Sequence, residues 1–437
     1  MTRTLLLPRW LIPIEPRGTV LEDHALLIEG ERIAAILPAS EARTRYADVP
    51  HLHLANHALL PGFVNLHGHS AMTLLRGLAD DLALMDWLHN HIWPAEKRHI
   101  SDEFVFDGTL IAMAEMLRGG TTTINDMYFF HDAVARAGLQ AGMRTVVGAS
   151  ILESPTAYGV GADDYISKAL AARDRFRGES LVSFSLAPHA PYTVSDDTFR
   201  KVVMLAEQLD VTIHCHIHET QQEITDSLAQ YGVRPIERLR HLGVLGPNLV
   251  AAHVVHANDE EVAILAQHGV HIAHNPASNL KLASGIARIP AMLAAGVNVG
   301  IGTDGAASNN ALDMLADTRL AALLAKGASN DPCAVPAAQA LEMATLAGAR
   351  ALNMDDRIGS LTVGKQADIV AVDLSDIATQ PVFDPISHLV YAARRDQVSD
   401  VWVAGRKLLD SHHLTSLDLG QLQAKAGWWQ SRIASQA

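Results

Sequence analysis

The stretch Leu60-Pro61-Gly62-Phe63-Val64-Asn65-Leu66-His67-Gly68-His69 decides the fold, because an apolar run ends directly in two histidines. Residues 60–66 have the apolar character of a buried strand. Side chains two positions apart on a strand point to the same face, so His67 and His69 can converge where this strand ends. Gly68 adds no bulk between them. Such a pair alone is weak support for a metal site, since hydrogen-bonded or surface histidines are common.

Short β-rich runs alternate with helical patterns along the middle of the chain. The helical intervals include residues 103–117 and 197–209. The candidate strands are residues 60–66, 121–125, 144–149, 181–187, 211–216, 249–253, 270–273 and 297–303. Strand–helix alternation predicts an α/β fold with a parallel sheet. Eight such units favour a closed (β/α)8 TIM barrel, although an open doubly wound sheet has the same local pattern.

Both ends of the chain are rich in strand-like segments and turns. Leu26-Leu27-Ile28-Glu29-Gly30-Glu31-Arg32-Ile33 has the pattern of strand, turn and strand. A chain of 437 residues is also too long for one hydrophobic core. We therefore predict a barrel over residues 58–364, with residues 1–57 and 365–437 supplying a smaller β-sandwich and a terminal helix.

Composition excludes several classes of protein. Apolar residues make up 49% and charged residues 19% of the chain, as in ordinary globular proteins. The formal net charge of −14 argues against nucleic acid as a partner. No apolar run reaches the roughly 18 residues needed to span a membrane. Two cysteines are too few for a secreted disulfide framework, so we expect a cytoplasmic protein. A homo-oligomer, either a dimer or a tetramer, is the expectation from base rates.

Histidine or aspartate stands at the ends of four candidate strands. His67 and His69 follow the first strand, His216 ends the fifth, His253 ends the sixth and Asp304 ends the eighth. Catalytic groups of barrel enzymes come from the carboxyl ends of several strands. Zinc binds imidazole nitrogen and carboxylate oxygen, so His67, His69, His216 and Asp304 are the predicted metal ligands. Water on such an ion titrates at about pH 7 and becomes a nucleophile.

The opening stretch and five later segments of the chain resemble, in the same order, the motifs of the amidohydrolase superfamily. Within it they are similar to the 5'-methylthioadenosine/S-adenosylhomocysteine deaminases and their chlorohydrolase relatives. Besides the opening stretch, the matching segments are His216-Ile217-His218-Glu219-Thr220, Ala252-His253, His274-Asn275-Pro276-Ala277-Ser278-Asn279-Leu280-Lys281-Leu282, Gly302-Thr303-Asp304-Gly305-Ala306-Ala307-Ser308-Asn309-Asn310 and Gly359-Ser360-Leu361-Thr362-Val363-Gly364-Lys365-Gln366-Ala367-Asp368.

The resemblance implies a barrel with a small β-sandwich and a single divalent metal ion. Relatives with two metals use a bridging lysine on the fourth strand, and residues 181–188 contain none. Zinc is the expected ion, and iron or nickel could occupy such a site. A different zinc deaminase fold needs an H-x-E and P-C-x-x-C signature, which two distant cysteines exclude.

The resemblance also implies hydrolytic deamination at C6 of an adenine nucleoside, yielding a 6-oxopurine and ammonia. Glu219, three residues after His216, would give a proton to the ring nitrogen and pass one to the leaving group. His253 and Asp304 would orient the attacking water and accept its proton. Protonated His253 would then stabilise the developing negative charge.

Four residues are the predicted substrate contacts. By resemblance, Glu96 would bind the ribose hydroxyls, Trp87 would pack beside the ribose substituent, and His189 would donate to the purine. Ser308 would line the same pocket. The alternative for the first two is an ordinary surface glutamate and a core tryptophan.

The resemblance implies that members accepting S-adenosylhomocysteine hold its carboxylate with arginines near the loop after the third strand. Residues 149–167 lack Arg and Lys, so that carboxylate would have no charged partner there. This favours 5'-methylthioadenosine, and then adenosine, over S-adenosylhomocysteine. Guanine or cytosine deamination and triazine dechlorination remain alternatives on the same barrel. A scaffold protein without catalysis is the further alternative.

Overall fold

The computed structural model describes residues 3–435, which contain strands from both ends and the middle of the chain. The strands are β1 (Arg3–Leu11), β2 (Leu21–Glu22), β3 (His24–Glu29), β4 (Arg32–Pro38), β5 (His51–Pro61), β6 (Phe63–Gly68), β7 (Thr121–Tyr128), β8 (Arg144–Ile151), β9 (Val182–Pro188), β10 (Ile213–Ile217), β11 (Leu249–His253), β12 (His271–His274), β13 (Asn298–Ile301), β14 (Ile369–Asp373), β15 (Val398–Val403), β16 (Arg406–Asp410) and β17 (His413–Leu414).

Helices separate the strands in the middle of the chain. The α-helices are α1 (Ala39–Arg45), α2 (Leu84–Asp86), α3 (Trp93–His99), α4 (Asp102–Arg118), α5 (His131–Ala141), α6 (Ala162–Arg175), α7 (Asp196–Leu209), α8 (Gln221–Tyr231), α9 (Pro235–His241), α10 (Asp259–Gln267), α11 (Pro276–Lys281), α12 (Ile289–Ala294), α13 (Met314–Ser329), α14 (Ala337–Met343), α15 (Leu346–Ala351), α16 (Pro385–Tyr391) and α17 (Leu419–Ala434). A π-helical turn, Trp87–Ile92, joins α2 to α3. Among residues 3–435, none of the helices combines the length and apolarity needed to cross a membrane.

Strands β6 to β13 form one sheet in which neighbours in space are neighbours in sequence. A doubly wound sheet would reverse its order at a switch point, so this order excludes that alternative. The last strand leads back to the first, because the Asp304 N–H donates to the His67 carbonyl at 2.9 Å. Gly302 permits this approach, since a Cβ there would lie 2.8 Å from the His67 nitrogen. The prediction of a (β/α)8 barrel is confirmed.

The first predicted barrel strand, residues 60–66, is divided between two strands in the structure. Leu60 and Pro61 belong to β5, where Leu60 pairs with Val370 of β14, and β6 begins only at Phe63. The prediction of one strand was wrong because the apolar run continues through both. A continuous apolar sequence does not show where one buried strand stops and another starts.

A second, mixed sheet combines the two ends of the chain. Its strands run in the order β17, β16, β15, β14, β5, β1, β3, β4, with β2 paired to β1. Alternate residues of β1 pack on opposite sides: Leu6 joins one apolar cluster and Leu5 joins another. This explains why β1 lacks a polar face, and it confirms that a smaller β-rich part is built from both chain ends.

The chain divides into two compact units. One unit comprises the chain up to Asn65 together with Ala114–Thr123 and Asp313–Leu417. This unit contains the mixed sheet. The other comprises Leu66–Met113, Ile124–Leu312 and the chain from Asp418 onward. The bounds drawn from the sequence, 1–57, 58–364 and 365–437, stay a prediction.

Candidate active site and metal centre

The four predicted metal ligands meet at the carboxyl ends of the barrel strands. His67 lies on β6, His69 follows it, His216 lies on β10, and Asp304 follows β13. The Nε2 atoms of His67 and His69 each lie 3.2 Å from Asp304 Oδ1. His69 Nε2 also lies 3.2 Å from His216 Nε2. Because the barrel strands all end at the same mouth, side chains that lie more than 200 positions apart in the sequence meet here.

The arrangement of these atoms fits a divalent metal ion. Within residues 3–435, His67 Nε2 and Asp304 Oδ1 are buried and have no hydrogen-bond partner, which is unfavourable for polar atoms without a ligand. Four ligands at 2.0–2.1 Å around a tetrahedral ion lie about 3.3 Å from each other. Three of these separations, His67 to Asp304, His69 to Asp304 and His69 to His216, are 3.2 Å and match that spacing. His67, His69 and Asp304 form one group of mutually close ligand atoms, and His67, His216 and His253 form a second. The arrangement of these side chains therefore fits a divalent metal ion.

Backbone carbonyls set the tautomers of two of these histidines. Nδ1 of His69 lies 2.7 Å from the Met127 carbonyl, and Nδ1 of His216 lies 2.7 Å from the His189 carbonyl. A carbonyl only accepts, so each Nδ1 carries the proton and donates it. Each Nε2 therefore keeps a lone pair that is directed at the space between the predicted ligands, as in metal-binding histidines.

Side chains hold the other two predicted ligands. His67 Nδ1 contacts His214 Nε2 at 2.8 Å, and both rings are buried. The hydroxyls of Ser278 and Ser308 donate to Asp304 Oδ2 at 2.6 and 2.8 Å. Asp304 Oδ1 is therefore the oxygen left for an ion. Ser278 lies in the segment 274–282, whose sequence pattern indicated no role for this hydroxyl.

Glu219 and His253 lie beside the candidate metal site. His253 Nδ1 is 2.8 Å from Asn279 Oδ1, which leaves Nε2 directed toward the site, 3.9 Å from Glu219 Oε2. The backbone at His253 and Asp304 is left-handed, with φ of 71° and 62°. Non-glycine residues rarely adopt this conformation, and such positions cluster at functional sites.

Glu219 is buried, with 6% of its surface exposed. Burial raises the pKa of its carboxyl, and the nearby negative charge of Asp304 acts in the same direction. Glu219 therefore keeps a proton to higher pH than an exposed glutamate does. A buried carboxyl of this kind, next to a metal site, is suited to proton transfer.

A cavity of about 650 Å³ opens from the metal site, and all four predicted substrate residues line it. Trp87 is buried on the π-helical turn, and Glu96 is buried on α3. The Tyr128 hydroxyl donates to Glu96 Oε1 at 2.6 Å. Burial raises the pKa of Glu96 to about 7. Glu96 is thus not the surface glutamate of the alternative interpretation, and sequence reasoning missed Tyr128.

His189 and Ser308 border the cavity near the metal site. Burial lowers the pKa of His189 to about 3, so its ring is neutral at pH 7. Its Nδ1 lies 3.1 Å from the Thr193 hydroxyl. By contrast His218 points elsewhere: its Nε2 accepts from the Ile236 N–H at 3.3 Å.

Much of the remaining lining is apolar, and it includes one exposed lysine, Lys97. The loop after β8 lines the cavity with neutral residues from Ser154 to Ala157. Apolar side chains in the lining are Met72, Leu84, Leu88, Trp93, Ile100, Met127, Phe129, Leu152 and Leu282. A ligand with one polar end and one apolar end suits such a cavity.

A family model described as the amidohydrolase family matches residues 58–408. The chain belongs to this family. The resemblance read from its motifs is thereby confirmed. One relative of this amidohydrolase is the 5-methylthioadenosine/S-adenosylhomocysteine deaminase of Teredinibacter turnerae. The two are 44% identical over 426 residues, which covers 98% of this chain and 96% of the relative.

Solved structures of related proteins share the whole fold of this amidohydrolase. An adenosine deaminase from Xanthomonas campestris with bound zinc has a TM-score of 0.97 and 50% identity, covering 99% of both chains. An atrazine chlorohydrolase from Arthrobacter aurescens complexed with zinc has a TM-score of 0.91 and 26% identity, covering 98% of this chain and 100% of that one. Similar folds in this family therefore support different leaving groups.

Proposed function

We propose that this amidohydrolase is a hydrolytic deaminase acting on the 6-amino group of an adenine nucleoside. Water adds its oxygen to C6, the C6–N6 bond breaks, and the amine leaves as ammonia with the second proton of the water. The observation that carries the proposal is one cavity with Glu219, His253 and Asp304 at its inner end and Glu96 on its wall. The relatives named as deaminases of such nucleosides support it.

The proposed metal ligands are His67, His69, His216 and Asp304, and zinc is the proposed ion. Three imidazoles and one carboxylate are a ligand set that zinc prefers, with iron or nickel as alternatives. When bound, the ion lowers the pKa of a water molecule to about 7 and so supplies the nucleophile. Both solved relatives described above contain zinc.

The protein's own groups move the protons. His253 is held by Asn279, and its Nε2 faces Glu219 across 3.9 Å. His253 and Asp304 orient the attacking water and accept its proton. Glu219 carries a proton at neutral pH more readily than an exposed acid does. It therefore protonates the ring nitrogen and then passes a proton to the leaving amine.

The apolar lining of the cavity favours a nucleoside with an apolar 5' substituent. Leu88, Trp93 and Phe129 are among the lining residues, and the lining residues from Ser154 to Ala157 in the loop after β8 include no cation for a carboxylate. Lys97 is a cation in the lining that the sequence analysis did not consider, and it would pair with a carboxylate. S-adenosylhomocysteine therefore remains a candidate, and it ranks third because, within residues 3–435, Lys97 is the one lysine or arginine among the lining residues. We place 5'-methylthioadenosine first and adenosine second.

An ammonia-release assay tests the proposed function. The substrates are 5'-methylthioadenosine, adenosine, S-adenosylhomocysteine, adenine, guanine and cytosine, and atrazine is assayed for chloride release. We expect the highest kcat/KM with 5'-methylthioadenosine. A preference for a bare base or for atrazine would exclude the nucleoside assignment. Purified protein without metal and without any turnover would favour the scaffold alternative.

Replacing Glu96 with glutamine is expected to remove discrimination for the ribose hydroxyls. Two hydrogen bonds to a carboxylate give adenosine about a 10²-fold advantage in kcat/KM over 2',3'-dideoxyadenosine. Because the pKa of Glu96 is raised to about 7, the carboxylate gains a proton as pH falls through 7. The advantage should therefore shrink from pH 8 to pH 6. In Glu96→Gln it should be small at every pH.

The ratio of the two substrates isolates Glu96, since the titration of groups at the reacting centre cancels. Glu103→Gln is the matched control, because Glu103 is an exposed glutamate at the start of α4. Equal ratios in wild type and Glu96→Gln would remove Glu96 from substrate binding.

Three further predictions concern the protein beyond its site. A cytoplasmic location, a lack of nucleic-acid partners and a homo-oligomer, either dimer or tetramer, are proposed from the sequence. Light scattering after size-exclusion chromatography would test the oligomeric state. A monomer at micromolar concentration would contradict it.

A further inference from the structure

Glu223 lies in the first turn of α8 and is unusually buried for an acid at a helix start, with 6% of its surface exposed. Its Oε2 accepts the backbone N–H of Glu219 at 2.9 Å. Its own backbone N–H donates to the Thr220 hydroxyl at 3.3 Å. Glu223 is not among the residues lining the cavity. It therefore contacts the backbone of Glu219 and not the substrate space.

The backbone at this corner needs such support. His218 has a left-handed φ of 55°, a conformation that non-glycine residues adopt only when their surroundings hold them there. The N–H that follows, that of Glu219, lies in a buried corner where an unpaired donor is costly. Within residues 3–435, the other carboxyl oxygen of Glu223, Oε1, is buried and has no hydrogen-bond partner. The Glu223 side chain thus holds the Glu219 peptide N–H in the turn between β10 and α8.

We propose that Glu223 is a positioning residue that fixes the backbone of Glu219, so that the Glu219 carboxyl faces His253 at the inner end of the cavity. This inference rests on the proposed function, in which Glu219 carries the transferred proton. A misplacement of about 1 Å in a catalytic group can lower the rate about 10²-fold. The rigid corner is therefore part of the site, although Glu223 does not touch the substrate.

The role of Glu223 depends on an acceptor atom and not on a charge. Burial raises the pKa of Glu223 to about 8, so the neutral acid predominates at pH 7. The carbonyl oxygen of a glutamine can accept the same N–H, while leucine offers no acceptor. Aspartate keeps the acid but shortens the side chain by one methylene. These three substitutions separate the acceptor from charge and volume.

The kinetic test compares Glu223→Gln, Glu223→Leu and Glu223→Asp at pH 7. We expect Glu223→Gln to stay within about 3-fold of wild type, and the other two to lose about 10²-fold in kcat with little change in KM or metal content. Asp313 is the matched control, since its carboxylate accepts the Leu315 and Ala316 N–H groups at the start of α13. Asp313→Asn and Asp313→Leu should alter thermal stability while kcat stays near wild type.

Amide hydrogen exchange at Glu219 gives a second measurement that needs no turnover. Exchange should accelerate in Glu223→Leu and Glu223→Asp and stay slow in Glu223→Gln. Unchanged exchange, or unchanged kcat in both Glu223→Leu and Glu223→Asp, would overturn the inference. A rate loss accompanied by equal loss of metal would also overturn it, because the role would then be structural only. Wild-type protein without nucleoside turnover would refute the proposed function, and the exchange data would still decide whether Glu223 fixes the Glu219 backbone.

Discussion

Glu219→Gln is expected to lower kcat on an adenine nucleoside by about 10³-fold, which is the middle of the range for loss of a general acid–base group. Glutamine has nearly the same shape but cannot carry the proton. The Glu219 side chain faces His253 at 3.9 Å and is not one of the four predicted ligands, so metal content should remain near wild type. Turnover and metal content are measured on the same preparation.

The pH profile provides an independent check on this role. Burial raises the pKa of Glu219, and an acid catalyst must be protonated before it acts. Activity that depends on Glu219 should therefore fall as pH rises through that raised pKa. The residual activity of Glu219→Gln should lack this limb.

Glu207→Gln is the control for the loss of one glutamate, because Glu207 is exposed on α7. It should match wild type in kcat and in pH profile. Turnover of Glu219→Gln within about tenfold of wild type would assign proton transfer to another group.

The gathering of His67, His69, His216 and Asp304 could be predicted from the sequence because it depends on two simple rules. Side chains alternate along a strand, and the carboxyl ends of barrel strands meet at one mouth. Neither rule needs knowledge of how side chains pack. The same rules placed His253 beside the ligands.

The supporting contacts could not be predicted in the same way. Tyr128 at the end of β7 reaches Glu96 on α3, and Ser278 reaches Asp304 across 26 positions of sequence. Such pairs depend on how helices and loops pack after the barrel has formed. The polar residues can be identified in the sequence, but the sequence pattern does not show which of them contact each other.

The break after Pro61 failed to appear in the sequence for a related reason. The last four residues of β5 and all of β6 are buried, so their apolar residues form one uninterrupted run. Periodicity distinguishes strands by their exposed faces, and neither of these two stretches has an exposed face. Only the pairing of Leu60 with Val370 in the mixed sheet separates the two strands.

Asp304→Asn, or complete removal of metal with a chelator, is expected to abolish measurable turnover. Asp304 is the anionic member of the predicted ligand set, and its Oδ1 is buried and unpaired within residues 3–435. An ion that binds only the folded state at 1,000 times its Kd stabilises it by about 4 kcal/mol. Chelated protein should therefore unfold at lower temperature, and added zinc should restore both stability and turnover.

Ser278→Ala is expected to have a smaller effect on turnover than Asp304→Asn. The Ser278 hydroxyl contacts Asp304 Oδ2, and its removal leaves all four predicted ligands in place. Loss of such a partner lowers metal affinity about 10- to 100-fold. Turnover of Ser278→Ala should therefore recover at high zinc concentration, while Asp304→Asn should remain inactive. Ser329→Ala is the control, since that hydroxyl bonds the Ala325 carbonyl within α13. Full turnover by metal-free protein would refute the metal site, and equal zinc dependence of Ser278→Ala and Ser329→Ala would show that Ser278 does not support Asp304.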